Sequence, residues 1–309
     1  MTERVAVCAL TLHRPRGLDA LLTSLAKLDD PGPDHDVTVV IVDNDPEESA
    51  REVVERWQAA MPWRLVYVAE HRRGIPFGRN TAVQTAGNVD YIAFLDDDEV
   101  ADPNWLAELL RVQRATGADV VTGTVLPMFE EDPPAWALDG RFFERPRFPT
   151  GHRLTYARTS NVLIAARVFP PGDPAPFNEA MGLSGGDDTH FFLRAWLQGH
   201  SIVWADAAVV HELVPASRIT TRWLLNREYR RGNTLSLCLR DLQDSPWRRV
   251  RRTGLGLLNI GHGGAAALIG VVRGRAAILA GVQRVWFGAG LLTGLVGLRY
   301  DEYAVIHGG

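Results

Sequence analysis

Four consecutive acidic residues, Asp96-Asp97-Asp98-Glu99, directly follow an apolar run at 91–95. The apolar run predicts a buried strand, so the carboxylates should emerge together at its C-terminal end. Two carboxylates about 4 Å apart repel by roughly 4 kcal/mol at an effective dielectric near 20. Such a cluster is stable when it is solvated, protonated or bound to a cation, and Mg²⁺ and Mn²⁺ prefer oxygen ligands. Taken alone, the segment is equally compatible with a solvated acidic turn and with a divalent-metal site.

A second acidic pair, Asp187-Asp188, follows a glycine-rich stretch at 182–186 and precedes a helical pattern. Carboxylates in the first turn of a helix are stabilised by the helix dipole. The pair could therefore serve only as a helix cap. Alternatively, one carboxylate could be a general base that lies close to a substrate hydroxyl.

The elements that position these residues follow from the hydrophobic pattern. Strands are predicted at 5–12, 37–42, 64–68, 91–95, 119–125, 161–165 and 202–210, and helices at 17–28, 49–60, 79–86 and 104–115. Strands that alternate with helices indicate an α/β fold with a mostly parallel, doubly wound sheet. Ligands bind such sheets outside the carboxyl ends of the strands.

Polar residues follow three of the predicted strands, namely Thr11-Leu12-His13, Asp43-Asn44 and the acidic run that starts at Asp96. We expect them to meet on one edge of the sheet. Their convergence favours a metal and nucleotide site over a solvated turn. The later segment 126–180 is rich in proline and aromatic residues, and its Trp136 could stack on a sugar or simply pack.

Composition sets the broad class of the protein. With 309 residues and 34.1 kDa, the chain can form one α/β domain with additions, or two domains. Its two cysteines lie far apart in the sequence, which favours free thiols in a reducing compartment. No signal peptide is predicted at the start. Residues 1–214 carry a formal charge of −13, which argues against nucleic-acid binding.

The C-terminal part has the opposite charge. Residues 215–252 carry +7, and 253–272 form a 20-residue stretch without any charged side chain. That length could span a bilayer, but six glycines lower its hydrophobicity. We interpret the segment as interfacial or hairpin helices facing anionic lipid. The alternative is a Gly/Ala-rich helical pair packed on the rest of the protein.

The order of the motifs resembles the family 2 glycosyltransferases, which are inverting enzymes with the GT-A fold. The subgroup of bacterial exopolysaccharide glucosyltransferases of the succinoglycan type is especially similar. The resemblance covers roughly residues 4–235. The matching segments are 9–15, 42–44, 78–80, 93–99, 185–188 and Trp223 through Gly232.

The resemblance implies a role for individual residues. Those that match its nucleotide site are Thr11, His13, Arg14, Asp43, Asn44, Arg79 and Asp97, with Asp97 on the ribose and Arg79 near the diphosphate. Those that match its site for Mn²⁺ or Mg²⁺ are Asp98, Asp96 and His211. Asp188 takes the position of the general base. Asp187 is expected to contact the acceptor, as is Trp136 if it stacks on a sugar.

The resemblance also implies a domain organisation and a reaction. A GT-A catalytic domain would occupy 1–235, with a nucleotide half at 1–126 and an acceptor half at 127–235, and a helical extension would occupy 236–309. The protein would transfer a sugar from a nucleotide donor to a glycan or lipid-linked acceptor, at the cytoplasmic face of the plasma membrane. A UDP-sugar is the first expectation for the donor, ahead of dTDP- and GDP-sugars.

Two other functions are compatible with a related sheet. A sugar nucleotidyltransferase would normally have a Gly-rich loop with Arg or Lys after the first strand, which residues 9–17 lack. A non-catalytic sugar-nucleotide-binding adaptor at the membrane would not need the intact Asp98 and Asp188.

Overall fold

This computed structural model describes residues 2–182 and 185–299, and that part of the chain is built on a nine-stranded sheet. The strands are β1 (Glu3–Thr11), β2 (His35–Asp43), β3 (Arg64–Ala69), β4 (Tyr91–Asp96), β5 (Glu99–Ala101), β6 (Val120–Phe129), β7 (Arg153–Leu154), β8 (Val162–Ala165) and β9 (Ile202–Val214). The helices are α1 (Pro15–Leu25), α2 (Arg51–Trp57), α3 (Ile75–Ala86), α4 (Trp105–Thr116), α5 (Ala135–Asp139), α6 (Asp187–Leu197), α7 (Thr221–Gln243), α8 (Pro246–Gly270) and α9 (Arg275–Leu295).

The first four strands of the sheet are parallel, in the order β3-β2-β1-β4. Their register aligns Thr11 with Asp43, and Leu10 with Asp96, so three strands end side by side. The predicted α/β fold and the shared edge are therefore confirmed. These ends converge because each strand is a buried apolar run that stops where polar residues begin.

Apolar residues cover both faces of the sheet. Alternate residues of β1 point to opposite sides: Val5 and Val7 pack with α1, α2 and α4, whereas Ala6 and Cys8 face the layer that contains α3 and α6. A strand covered on both faces needs a continuous apolar sequence, as in β2. Helices on both sides keep the polar strand ends as the open edge.

The second half of the sheet is mixed. Strand β8 runs antiparallel between β4 and β6, and β9 runs parallel to β6 and antiparallel to β5. β9 extends to Val214, beyond the predicted end at 210. Its Leu213 N–H donates to the Asp98 carbonyl at 2.8 Å, and Glu99 lies opposite Glu212. The long strand thus closes one side of the acidic run.

A unit of three long helices completes the described chain. α9 packs against both α7 and α8, in agreement with the predicted C-terminal helical segment. The boundaries drawn at 126/127 and 235/236 from the sequence fall inside β6 and α7, respectively. Among the described helices, α9 is long and apolar enough to cross a membrane, judged by length and composition alone.

Candidate active site

Along the acidic run after β4, side chains alternate between buried and partly exposed. Asp97 and Glu99 are buried, at 6% and 1% exposure, whereas Asp96 and Asp98 reach solvent. The Glu99 carboxylate turns back and accepts a 2.9 Å hydrogen bond from the Asp96 N–H. Glu99 therefore closes the turn beneath the site, and Asp96 and Asp98 form the open pair.

Burial and mutual repulsion disfavour negative charge in this run. Burial raises the pKa of Asp96 to about 7, and Asp98 adds to the rise. Burial also raises the pKa of Asp97 to about 6, against the pull of the Arg14 guanidinium. The pKa of Glu99 is raised by burial and by Asp96. Such a crowded set of carboxylates is stabilised by any cation that enters it.

Two arginines already approach Asp98. Arg14 Nη1 lies 2.9 Å from Asp97 Oδ1 and 3.1 Å from Asp98 Oδ2, and Arg218 Nη1 lies 3.3 Å from the same Asp98 oxygen. Arg218 also lies 3.6 Å from Glu212 Oε1. Positive charge therefore surrounds Asp98 on two sides, one from the end of β1 and one from the chain after β9.

The donor chemistry of this site fits a hard divalent cation. Asp96 and Asp98 offer only oxygens, and the buried Thr11 hydroxyl lies beside Asp97. In residues 2–182 and 185–299, no group of three His, Cys, Asp or Glu side chains forms a ready-made metal cage. This combination suits Mg²⁺ or Mn²⁺ shared between one or two carboxylates and substrate phosphates.

His211, predicted as a metal ligand, pairs with another carboxylate. Its Nε2 lies 3.0 Å from Asp102 Oδ1, and the structure does not group it with Asp96 and Asp98 among the described residues. Because β9 continues past His211, successive side chains point to opposite faces, and Glu212 instead faces the site. Glu212 bonds Arg145 at 2.5 Å, so a carboxylate that the sequence did not single out lies in the site.

A cavity of about 270 Å³ opens at the ends of β1 and β2. It is lined by Leu12, His13, Asn44, Asp45, Pro46, Glu47 and Arg73. His13 adopts a left-handed backbone conformation (φ 53°), and its Nδ1 lies 3.0 Å from Asp45 Oδ2. His13, Asn44 and Asp45, which follow the first two strands, therefore line this cavity together, and Arg73 is an addition from the structure.

Asp43, which was expected near the nucleobase, is not among the residues that line this cavity. It is fully buried and accepts hydrogen bonds from the Ala50 N–H (2.9 Å), the Asp45 N–H (3.2 Å) and the Tyr67 hydroxyl (3.0 Å). Asp43 thus fixes the loop between β2 and α2, because its acceptor capacity is used within the protein.

Asn44 also ties loops together. Its Nδ2 donates to the carbonyls of Glu70 and Arg72, and its Oδ1 accepts from the Gly74 N–H. Only part of Asn44 remains available to line the cavity. The floor of the cavity is therefore fixed by side chains that bridge three loops.

Arg79 and Asp187, predicted to contact the diphosphate and the acceptor, form a buried ion pair with each other. Arg79 Nη1 lies 2.5 Å from Asp187 Oδ2, and the two side chains are 9% and 1% exposed. Burial alone would lower the pKa of Arg79, but Asp187, Asp188 and Asp96 raise it above its usual value. The pair connects α3 to α6, and the start of α6 therefore lies close to the end of β4.

Asp188 lies in the first turn of α6 and remains partly exposed. Its Oδ1 accepts hydrogen bonds from the N–H (2.5 Å) and hydroxyl (3.2 Å) of Thr189. Gly185 and Gly186 precede it with φ of 69° and 93°, conformations that favour glycine. The turn presents Asp188 beside the buried ion pair.

Arginines and aromatic rings form a wall beside Asp188 and Glu212. Burial lowers the pKa of Arg158, with Arg145 adding to the effect and Asp188 opposing it. Burial lowers the pKa of Arg227 to about 10, and its guanidinium lies 5.1 Å above the Trp223 ring. Buried positive charge of this kind favours an anionic ligand.

Trp136 contacts other parts of the protein than those expected for acceptor stacking. Its ring packs 6.1 Å from Phe142, and the Arg275 guanidinium lies 4.9 Å above it. The side chain thus connects α5 to the start of α9. Trp223, by contrast, stacks on Phe143 at 6.1 Å within the arginine wall.

The fold is that of an α/β protein with a polar site at the carboxyl ends of its parallel strands, and comparison with known proteins identifies the class. The model of glycosyl transferase family 2 matches residues 7–169, and that of glycosyl transferase family group 2 matches 91–300. The chain belongs to glycosyl transferase family 2 and is a glycosyltransferase.

Individual relatives agree with this family. The chain is 33% identical to the succinoglycan biosynthesis protein ExoM of Rhizobium meliloti (strain 1021), over 96% of this chain and 94% of ExoM. It superposes on Staphylococcus aureus TarS (residues 1–349, with UDP) with a TM-score of 0.53 and 16% identity, covering 94% and 90% of the two chains. For the mannosyltransferase PcManGT of Pyrobaculum calidifontis, solved with GDP-Man and Mn²⁺, the TM-score is 0.60 at 18% identity, covering 96% and 88%.

Proposed function

We propose that this protein is an inverting, metal-dependent glycosyltransferase that moves a sugar from a nucleotide donor to a hydroxyl of a glycan acceptor. The observation that carries the proposal is the position of Arg79. This buried arginine bonds Asp187, and it also experiences the charges of Asp188 and Asp96. A candidate base and the acidic pair are thereby held next to each other across one cleft.

The residues proposed to hold the metal are Asp98 and Asp96. When bound, Mn²⁺ or Mg²⁺ would neutralise the charge that develops on the departing diphosphate. Arg218 lies 3.3 Å from Asp98 and can stabilise the same charge from the other side. Electrostatic groups fixed before the reaction supply much of the acceleration in such sites.

Asp188 is the proposed general base. It would accept the proton of the acceptor hydroxyl as the oxygen attacks the anomeric carbon, on the face opposite the departing nucleotide. The Thr189 N–H and hydroxyl bond one oxygen of the carboxylate, which fixes its orientation. Geometry of this kind is the first requirement for a general base.

The donor is proposed to be a UDP-sugar, with dTDP- and GDP-sugars as alternatives. Family membership supports a nucleotide sugar, and the similar folds of TarS with UDP and PcManGT with GDP-Man support both pyrimidine and purine nucleotides. The nucleobase of the donor would lie in the cavity lined by His13, Asn44 and Asp45. The similarity to the succinoglycan biosynthesis protein ExoM supports a polysaccharide acceptor. We propose that this acceptor is carried on a lipid at the inner face of the plasma membrane.

Replacement of Asp188 by Asn tests the base. We expect transfer to fall by roughly 10²–10⁴-fold, the usual contribution of a general base. Binding of UDP with Mn²⁺, measured by thermal shift, should stay close to that of the unmodified protein. Asp139→Asn, at an exposed position, is the matched control. If Asp188→Asn retains full transfer, the assignment of the base is wrong.

A thermal-shift screen of UDP, dTDP and GDP with and without Mn²⁺ tests the donor and the metal together. We expect stabilisation by one diphosphate that depends on Mn²⁺. Equal stabilisation with EDTA present would contradict the metal dependence.

A further inference from the structure

Helix α8 packs closely against helix α9 through glycines at every seventh position. A Cβ atom at Gly263 would lie 2.6 Å from the Gly281 carbonyl oxygen, and one at Gly270 would lie 2.6 Å from the Ile278 nitrogen. Gly256 approaches Leu292 in the same way. Small residues allow such close approach of two helices. The glycine seam therefore sets which face of α8 is buried and which is turned outward.

The outward face of α8 is apolar along its whole length. Its exposed large apolar residues are Trp247, Val250, Leu257, Leu258, Leu268 and Ile269, with Val272 just after the helix. Trp247 and Leu268 are each 76% exposed, and Val272 is 86% exposed. Together with the exposed Gly254, Gly261 and Ala265, most of these positions recur every three or four residues, the spacing of one helical face. A helix of this length extends about 37 Å, so the face forms a long stripe.

Most of the charges around this stripe are positive. Residues 245–299 contain eight arginines and no Asp, Glu or Lys, although Asp244 pairs with Arg249 and Arg252 at the start of the helix. Arg248 and Arg251 lie at the start of α8, and Arg273 lies just beyond its end. An apolar face with arginines at both ends matches an anionic lipid surface, in which acyl chains lie beneath negatively charged headgroups.

Helix α9 is the more hydrophobic of the two, but it packs against both neighbours. Gly290 packs on the Tyr229 backbone of α7, and Gly288 packs on the Gly256 backbone of α8. A transmembrane position for α9 would separate it from α7. Among its large apolar side chains Trp286 is exposed, at 39%, so the long exposed apolar stripe lies on α8.

We propose that the outward face of α8 binds the surface of an anionic bilayer, with the helix axis in the plane of the membrane. This inference deepens the location given under the proposed function and rests on it. Pairing of two copies through the same face is disfavoured. Both parallel and antiparallel pairing of α8 bring arginine clusters together, and Asp244, the nearest acidic residue in the sequence, is already paired with Arg249 and Arg252.

Vesicle binding by the full-length protein tests this surface. We expect co-sedimentation with vesicles of phosphatidylcholine mixed with phosphatidylglycerol, and much weaker binding to phosphatidylcholine alone. The double variant Leu257→Glu/Leu268→Glu should lose at least roughly tenfold in vesicle affinity, because binding scales with the buried apolar area. Met128→Glu, at a 42% exposed position on β6, is the matched control and should bind like the unmodified protein.

The arginines are tested by Arg251→Gln/Arg273→Gln. We expect each substitution to weaken binding to the anionic vesicles roughly fivefold at low salt. The thermal unfolding temperature and the shift caused by UDP with Mn²⁺ should be unchanged in all variants, which shows that the catalytic part is intact. Normal vesicle binding by a protein without transferase activity would contradict the proposed function and leave this surface supported.

Two results would overturn the inference. One is equal binding of the double glutamate variant and the unmodified protein to anionic vesicles. The other is a dimer in analytical ultracentrifugation that the glutamate substitutions abolish, with no vesicle binding, because it would assign the face to a second copy of the chain.

Discussion

Two groups of carboxylates lie on the same edge of the sheet, and their pKa values are shifted in opposite directions. At the ends of β2 and β3, hydrogen bonds from Arg72 lower the pKa of Glu70 to about 2. At the end of β4, burial raises the pKa of Asp96 to about 7 and that of Asp97 to about 6. Asp43, at the end of β2, is an exception. Burial outweighs the effect of its three hydrogen bonds and raises its pKa.

The difference separates a scaffold from a binding site. The carboxylates near β2 and β3 receive their hydrogen bonds from the protein, so the shape of the cavity does not depend on a ligand. The carboxylates after β4 are crowded with too few donors, and a ligand with positive charge would relieve them. One edge of the sheet thus contains a rigid part and a part whose electrostatics are completed by binding.

Within this comparison, the largest expected effect comes from Asp98→Asn. It removes the charge of the proposed metal ligand without changing the size of the side chain, so transfer should fall by roughly 10²–10³-fold, as for other removed electrostatic groups. The shift in thermal unfolding caused by UDP should lose its dependence on Mn²⁺. Without ligand, the variant should be close in stability to the unmodified protein, because lower repulsion with Asp96 offsets the weakened contacts with Arg14 and Arg218. A Mn²⁺ response that persists in the variant would contradict the assignment of Asp98 to the metal.

Asp43→Ala probes the scaffold and should act mainly on stability. The substitution leaves two N–H groups and the Tyr67 hydroxyl without their acceptor, at about 1–3 kcal/mol for each buried group left unsatisfied. We expect a clearly lower free energy of unfolding in urea. Tyr67→Phe removes one of the three bonds and should cost about 1 kcal/mol. If Asp43→Ala unfolds like the unmodified protein and only nucleotide affinity falls, then Asp43 contacts the ligand after all.

Glu70→Gln tests, through its pH dependence, whether the charge of the first group stabilises the fold. The folded-state pKa of Glu70 is lowered, so its charge contributes stability that is present above its unfolded pKa near 4.5 and is lost as the pH falls through about 2. We expect the variant to be less stable than the unmodified protein at pH 7, with a difference that shrinks between pH 4.5 and 2. Urea unfolding across this range measures it, with the exposed Glu131→Gln as control. A difference that does not change with pH would contradict the charge-based origin of this stability.

Features set by local sequence could be predicted, and those set by distant pairing could not. The apolar period of β1, β2 and β4 is local, so their ends and the shared edge followed from the sequence. Arg79 and Asp187 are 108 residues apart, and no local pattern indicates that they bond each other. The resemblance to family 2 glycosyltransferases gave each residue a ligand contact of its own, and it said nothing about their contact with each other.

The surroundings of His211 depend on distant pairing in the same way. The apolar run ends at Val210, but pairing with β5 and β6 carries β9 on to Val214. The longer strand places Glu212 on the face of the site and His211 on the opposite face. If the alternation of side chains along the strand had been extended two residues beyond Val210, it would have pointed to Glu212.

The smallest expected effect concerns Arg218, which contacts Asp98 in the absence of metal. Its guanidinium lies 3.3 Å from the Asp98 carboxylate and is partly exposed, so the pair contributes about 0.5–1 kcal/mol. A metal ion must compete with this contact, and Arg218→Gln should therefore tighten Mn²⁺ binding by roughly two- to fivefold in the absence of nucleotide. Isothermal titration with Mn²⁺ alone measures the change, and Arg222→Gln, at an exposed position in α7, is the control. Weaker Mn²⁺ binding by Arg218→Gln would mean that the arginine organises the carboxylates for the metal, and the two parts of the edge would then differ less than their pKa values indicate.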